Sequence, residues 1–193
     1  MNNYEYIIAS LPVLQEAETP DVPAIVEEIR SQCSVKDREL VDFLLGSLDG
    51  RTLDRDFYLE CAGKRNRFIR EFFSFDRKLR NAKVSYLNSR LGRPEGTDLV
   101  LLSDDEDPGF GFDEAAAASA VLSQPDILER ERGLDRMVRG KVDELNNLDV
   151  LNLDLILGFL VKLRQVERWQ KLDPATGREI FRDLVKEIRK TKE

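Results

Sequence analysis

The sequence contains no histidine among its 193 residues. This absence excludes Ser-His-Asp and Cys-His catalytic pairs, a histidine general base and an imidazole metal ligand. The sequence also lacks the Gly-x-Gly-x-x-Gly and Gly-x-x-x-x-Gly-Lys-[Ser/Thr] patterns that bind nucleotide phosphates. Its paired carboxylates, such as Glu27 and Glu28, are typical of a solvated helix face rather than of an acid–base pair. We therefore expect a protein that is not an enzyme and that uses no cofactor or metal.

Long apolar runs are missing as well. The longest uncharged run in the last third of the chain is residues 155–161, far below the roughly 20 residues that span a bilayer. The N-terminus carries neither a basic nor an apolar signal-peptide region, so we expect no secretory signal and a cytoplasmic location. The two cysteines, Cys33 and Cys61, fit no metal-ligand spacing. We expect them to be buried and reduced rather than joined in a disulfide.

Charged residues make up 35% of the chain, and glycine and proline are few, which together favour long, exposed helices. Helix start signals, with a capping side chain or a proline before an apolar repeat, occur at residues 21–23, 34–37, 123–126 and 173–174. We predict an all-α fold of six or seven helices without a sheet. The apolar opening, residues 4–11, fits either a short strand or a helical turn.

The longest predicted helix lies in residues 53–91, which contain no proline and only one glycine, Gly63. Six residues there are spaced 4, 3, 4, 3 and 4 apart: Phe68, Phe72, Phe75, Leu79, Ala82 and Tyr86. This 3.5-residue repeat is typical of a helix that lies along a partner helix. We predict a long central helix, about 55 Å if unbroken, in an antiparallel helical hairpin or bundle. Residues 148–172 are apolar nearly all round, which predicts another helix at the centre of the core.

An acidic segment, residues 93–112, separates the two halves of the chain. Its four consecutive acidic residues, 104–107, stand near glycine and proline residues, which predicts an exposed and partly disordered loop. The positions of its glycines and the lack of a closing glutamate do not match a calcium-binding EF-hand loop. We expect either a single helical domain, residues 1–193, or two lobes, residues 1–92 and 113–193, joined by this loop.

Positive charge is concentrated in residues 64–93, although the chain has a net charge of −7. Ten basic residues in that region are opposed only by Glu71 and Asp76. We select as candidate partner-binding residues a basic helix face formed by Lys64, Arg67, Arg70, Arg77, Lys78, Arg80 and Lys83. Such a face suits acidic helices of the same chain, an acidic protein partner or phospholipid head groups. Nucleic acid is the least favoured partner, because the chain is acidic overall and the interleaved phenylalanines fit a helix–helix seam better than a base-stacking surface.

Two segments resemble a small bacterial family of uncharacterised proteins: LNLDLILGFLVKLRQVERW at residues 151–169 and YEYIIASLP at residues 4–12. Members of that family are typically encoded among the subunits of bacterial V-type ATPases, where the C subunit (called d in eukaryotic complexes) would be expected. The resemblance implies a non-catalytic, helical protein, similar to the C subunit, that joins the rotating central stalk to the membrane ring, with the other ATPase subunits as partners. It also implies a peripheral position on the inner face of the cell membrane, without a transmembrane segment.

Two other interpretations stay open, because the chain is shorter than a usual C subunit and would supply only part of that three-lobed socket. One is a free-standing helical protein–protein adaptor, including a homodimer formed through the stripe at residues 68–86. The other is a helical protein associated with RNA, whose binding would weaken steeply as salt is added.

Overall fold

The computed structural model describes residues 4–14, 20–49, 53–103, 106–107, 111–147 and 151–172. These residues form eight α-helices and no strand, which confirms the predicted all-α fold. The helix predicted to begin at residues 173–174 lies outside the described residues. The helices are α1 (Glu5–Ser10), α2 (Val22–Gln32), α3 (Val35–Leu48), α4 (Arg55–Gly63), α5 (Arg67–Leu91), α6 (Ala115–Leu122), α7 (Ile127–Asn146) and α8 (Leu153–Gln170).

Polar caps begin six of these helices. In each, the side chain before the first helical residue accepts a hydrogen bond from a backbone N–H of the first turn, a donor that has no partner inside the helix. The start signals at residues 21–23, 34–37 and 123–126 are thereby confirmed, although Pro125 precedes its cap instead of standing in the first turn. The caps are Asp21, Ser34, Asp54, Asn66, Asp126 and Asn152.

The long helix predicted over residues 53–91 is divided in two at residues 64–66. Lys64 adopts an extended backbone after α4, and Asn66 accepts a hydrogen bond from the Ile69 N–H at 2.9 Å, which starts α5. The Asn66 side chain also donates to Asp154 of α8 at 2.8 Å, so a tertiary contact holds the break. With 25 residues, α5 is about 37 Å long instead of 55 Å. It is still the longest helix in the described part of the chain.

Helix α8 lies at the centre of the bundle, as its composition predicts. It packs against α2, α3, α5 and α7. Side chains on most of its circumference are buried, as expected for a helix with neighbours on several sides. Its buried apolar residues are Leu153, Ile156, Leu157, Leu160, Val161, Leu163 and Val166.

Helices α5 and α7 run antiparallel. Arg67, at the start of α5, donates to the carbonyl of Leu145 near the end of α7 at 2.6 Å, whereas Leu79 shares a cluster with Leu134 in the first half of α7. Helix α6 packs against both. The predicted stripe is therefore a helix–helix seam inside the chain: Phe68, Phe72, Phe75 and Leu79 are buried, and Ala82 and Tyr86 partly buried.

Two hydrophobic clusters form within the described residues, and α5 and α7 contribute to both. The larger one contains Cys33 and Cys61, which are buried and not joined in a disulfide, as predicted. Whether the chain folds as one domain or as two lobes stays a prediction. Among the described helices, none combines the length and the hydrophobicity that crossing a membrane requires.

Candidate partner-binding site

The described part of the acidic segment runs back along α5 and is bonded to it. The Asn88 side chain donates to the carbonyl of Thr97 at 2.7 Å. Two turns earlier on α5, Asn81 donates to the carbonyl of Val100 at 3.0 Å and accepts from its N–H at 2.9 Å. Asn81 and Asn88 are both buried, so these bonds satisfy groups that cannot reach water. We call residues 97–103, with Glu106 and Asp107, the strap.

Arg77 binds the strap at its far end. Its guanidinium donates to the carbonyl of Val100 at 3.0 Å and to the Glu106 carboxylate at 2.6 Å. The other Glu106 oxygen accepts from the Leu102 N–H at 2.6 Å. Burial acts to raise the pKa of the Glu106 carboxyl, but the bonds from Leu102 and Arg77 outweigh it and hold the pKa below its usual range. The strap is therefore a loop that is bonded to α5, partly exposed and partly buried, and disorder in the rest of the acidic segment stays a prediction.

Arg77 is one of the residues that the sequence selects for partner binding, but only 4% of its surface is exposed. Its charge is paired with Glu106 inside the chain. Lys64 and Arg67 are also paired internally, at the junction of α4 and α5. Lys64 lies 2.8 Å from Glu60, and the Arg67 guanidinium is 3.7 Å from the Asp154 carboxylate. These three cations therefore form ion pairs within the chain, which is one of the alternatives that the sequence leaves open for the basic face.

Arg80 and Lys83 lie on another part of α5, beside Asp76. The Asp76 carboxylate accepts a hydrogen bond from the Tyr58 hydroxyl at 2.7 Å. Burial raises the pKa of the Asp76 carboxyl, and the Tyr58 bond and the charges of Arg80 and Lys83 oppose that rise only in part. Arg80 is exposed and Lys83 half-buried, so both can meet a partner.

Arg70 and Lys78 differ from Arg67 and Arg77 because, among the described residues, they bond to backbone carbonyls alone and to no carboxylate. Arg70 donates to the carbonyls of Lys64 at 3.0 Å and Arg65 at 2.8 Å, both in the break between α4 and α5. Lys78 donates to the carbonyl of Gly111 at 2.7 Å. Across the residues that the structure describes, neither forms a salt bridge. Their positive charges are solvated and oriented but not neutralised.

Arg70 and Lys78 line one open cleft of about 390 Å³ between α5 and α7, which we call the α5–α7 cleft. Phe75 and Phe112 supply apolar surface in it, and Lys141 enters from α7. Glu144 and Glu114 raise the pKa of Lys141 above its usual value although burial acts to lower it, so this amine is charged at neutral pH. Sequence reasoning missed Lys141, because nothing in the local pattern links it to a helix some 60 residues earlier.

The seven predicted residues therefore do not form a single face. They divide among a salt-bridged junction, the buried end of the strap, the α5–α7 cleft and the surface beside Asp76. The arrangement offers hydrogen-bond donors and positive charge rather than an acid–base pair. Over the described ranges, no group of three or more cysteine, aspartate or glutamate residues is placed to hold a metal ion.

Residues 49–192 match the model of a protein family that is described as "Protein of unknown function (DUF2764)". This range contains α5, α7, α8 and every residue of the predicted basic face. No curated protein and no solved structure matches the chain.

Proposed function

The chain belongs to this family of unknown function, and on that premise we propose that it is a non-catalytic helical subunit of a bacterial V-type ATPase. It acts as the C subunit does, coupling the central stalk to the membrane ring. Its partners are the other subunits of that ATPase, and it lies peripherally on the inner face of the cell membrane. It transmits force during proton or sodium transport and performs no chemistry of its own.

One observation supports the proposal: the two segments that resemble proteins encoded with V-type ATPase subunits are joined by a backbone hydrogen bond and belong to the same hydrophobic cluster. The first segment forms α1 and the second forms α8. The N–H of Tyr4 donates to the carbonyl of Leu151 at 3.1 Å. Tyr4 and Ile7 share the larger cluster with residues of α8. The two segments of the resemblance therefore meet in the folded chain, at Tyr4 and Leu151.

The packing of the helices suits a subunit that transmits torque. Gly158 lets α8 approach α7 so closely that a Cβ atom there would lie 2.8 Å from Val142. Gly133 does the same between α7 and α6, where a Cβ atom would lie 2.6 Å from Val121. Close-packed interiors have low compressibility and pass strain between elements. A body of helices in such contact transfers a load better than helices joined through flexible loops.

The first experiment is to tag the protein in its native host, solubilise the membranes gently and identify what co-purifies. We expect the catalytic, stalk and ring subunits of a V-type ATPase. If the protein is recovered alone from the soluble fraction, the ATPase proposal is wrong. A free-standing helical adaptor then becomes the better interpretation.

Reversing the charges beside Asp76 is expected to weaken assembly. In the double variant Arg80→Glu/Lys83→Glu, two cations that would face an acidic subunit become repulsive, so recovery of the ATPase subunits should fall at least about tenfold. Arg77 is left unchanged, because its charge is paired with Glu106 of the strap. The measurement is quantitative mass spectrometry of the co-purified subunits.

The matched control reverses two exposed cations elsewhere, Lys36→Glu on α3 and Arg136→Glu on α7. Like charges beside Asp76 could also destabilise the fold, so a second variant, Arg80→Gln/Lys83→Gln, removes the cations without adding anions. Thermal unfolding of each variant shows whether it is folded. Equal recovery with the control and the test variants would exclude this surface as the docking site.

A further inference from the structure

The α5–α7 cleft brings together two cations of the basic region that form no salt bridge with a described carboxylate. Lys64, Arg67 and Arg77 each have a carboxylate partner. Arg70 and Lys78 have only backbone carbonyls among the described residues, and both line the same cleft. A carbonyl carries a partial charge, so it orients a cation without cancelling its field. The cleft therefore attracts an anion from outside the chain.

The shape of the cleft places these charges beside apolar surface. Arg70, Ser74 and Lys78 are spaced four residues apart and lie along one side of α5. Lys78 is held over Gly111, which has a φ of 63° and where a Cβ atom would come within 3.3 Å of the Lys78 amine. The rings of Phe75 and Phe112 lie between α5 and the start of α6. A ligand with a negative group next to an apolar one would contact both kinds of surface.

Two carboxylates in the lining limit which anion can bind. Glu71 and Glu114 belong to the same cleft as the cations. The lining contains three cations (Arg70, Lys78 and Lys141) and two carboxylates, a net charge of +1, which matches one carboxylate better than a compact, multiply charged anion such as phosphate. A polypeptide can instead place one carboxylate against Arg70 and Lys78 and turn neutral or basic residues towards the glutamates.

We propose that the α5–α7 cleft binds a segment of a partner protein in which an aspartate or glutamate stands next to an apolar residue. The carboxylate is bound by Lys78 and Arg70, and the apolar side chain lies against Phe112. Lys141 enters the cleft from α7, but its amine is paired with Glu114 at 3.4 Å and with Glu144 at 3.0 Å, so Arg70 and Lys78 supply the charge for the partner's carboxylate. This inference refines the docking surface of the proposed ATPase subunit and rests on that function only for the identity of the partner.

The test places the photo-crosslinking amino acid p-benzoyl-L-phenylalanine at Ser74, which is exposed in the cleft, in the full-length protein in its native host. After irradiation, mass spectrometry identifies the crosslinked peptide. We expect a peptide with an aspartate or glutamate within about one helical turn of the crosslinked residue. The control places the same amino acid at Ala120, which is exposed on α6 outside the cleft.

Capture of a peptide is followed by a charge swap. Lys78→Glu in the crosslinking protein should lower the yield at least about tenfold, and changing the captured carboxylate residue to lysine should restore it. Lys78→Gln should give an intermediate yield, and it serves as the test variant if Lys78→Glu does not fold. The swap separates specific pairing of charges from general damage to the surface, because two damaging changes cannot cancel unless the residues meet.

The possible outcomes distinguish a failure of the inference about the cleft from a failure of the ATPase proposal. An acidic segment that passes the charge swap but belongs to another protein supports the cleft and contradicts the ATPase proposal. The inference about the cleft is overturned by a captured peptide without a carboxylate, by a yield that Lys78→Glu and Lys78→Gln leave unchanged, or by no capture above the Ala120 control. Those results do not bear on the ATPase proposal, which the co-purification experiment tests separately.

Discussion

Replacing Arg77 with methionine is expected to lower the free energy of unfolding by about 3 kcal/mol at neutral pH. The substitution keeps the apolar stem but leaves Glu106 without its ion pair and removes one of the donors to the Val100 carbonyl. We take the lower end of the range for breaking a buried ion pair, because Glu106 keeps 22% of its side chain exposed and can recover water. Chemical denaturation of the purified protein measures the loss. Amide exchange at Leu102 should accelerate as the strap loosens.

The matched control for Arg77→Met is Arg93→Met. Arg93 also pairs with a carboxylate of the strap, Asp98 at 3.1 Å, but both members of this pair are more than half exposed. Surface pairs of this kind contribute about 0–1 kcal/mol, so the control should change stability little. A loss in Arg77→Met no larger than in Arg93→Met would show that the strap is not held by the buried guanidinium.

The same substitution has a pH dependence whose sign follows from Glu106. Its pKa is lowered in the folded protein, so its contribution to stability is fully present above the pKa of the unfolded chain and is lost as the pH falls through the folded pKa. The difference in stability between the wild type and Arg77→Met should therefore be largest near pH 7 and shrink in acid, below about pH 4. A difference that stays constant over this range would contradict the ion pair as its source.

Helix positions could be predicted from the sequence because their causes are local. Capping residues such as Ser34 and Asp126 act on backbone groups within one turn, so the printed sequence contains both the donor and the acceptor. The central position of α8 follows from apolar residues on most of its circumference. Local signals do not fix exposure, since Ile127, the first residue of α7, is apolar and yet 70% exposed.

The break between α4 and α5 could be predicted only in part. Gly63 and Asn66 are recognisable end and start signals, but each also occurs inside helices. The contacts that stabilise the break are made by residues distant in the sequence, as in the hydrogen bond from Asn66 to Asp154. The periodic stripe begins only after the break, with Phe68 as its first member, so it gives no sign of the interruption.

The candidate site was predicted least well, since charge alone does not reveal which cations are used inside the fold. Arg77 and Arg80 are equivalent in the sequence, but Arg77 is buried with Glu106 and Arg80 is exposed. The difference depends on where the strap lies, and the strap is fixed by Asn81 and Asn88. A polar residue on the buried side of a predicted helix is a signal that the backbone of a loop is bonded there.

Replacing Gly158 with alanine is expected to lower the free energy of unfolding, although alanine is the better helix former. Alanine in place of glycine contributes about 1 kcal/mol to a helix interior. Here its Cβ atom would lie 2.8 Å from Val142 Cγ1 and 2.3 Å from the Asn146 amide nitrogen. Val142 is fully buried and β-branched, so it cannot turn aside without cost. Overpacking of this kind costs about 1–3 kcal/mol, which outweighs the gain in propensity.

Gly140→Ala on α7 is the matched control, because it makes the same chemical change in an exposed helix interior with nothing within 4 Å of the new Cβ atom. It should stabilise the protein by about 0.5–1 kcal/mol. The two variants should therefore shift the midpoint of denaturation in opposite directions. Stabilisation by both would mean that α7 and α8 are not held in close contact at Gly158.

A double variant identifies the contact that opposes Gly158→Ala. Val142→Ala alone should destabilise the protein by leaving a cavity in the core. In Gly158→Ala/Val142→Ala the new methyl group occupies part of the space that the valine vacates, so the loss should be smaller than the sum of the two single losses by about 1 kcal/mol or more. If the two losses are additive, the destabilisation by Gly158→Ala comes from the contact with the Asn146 side chain and not from Val142. A large coupling would show that the spacing of α7 and α8 is set by this glycine.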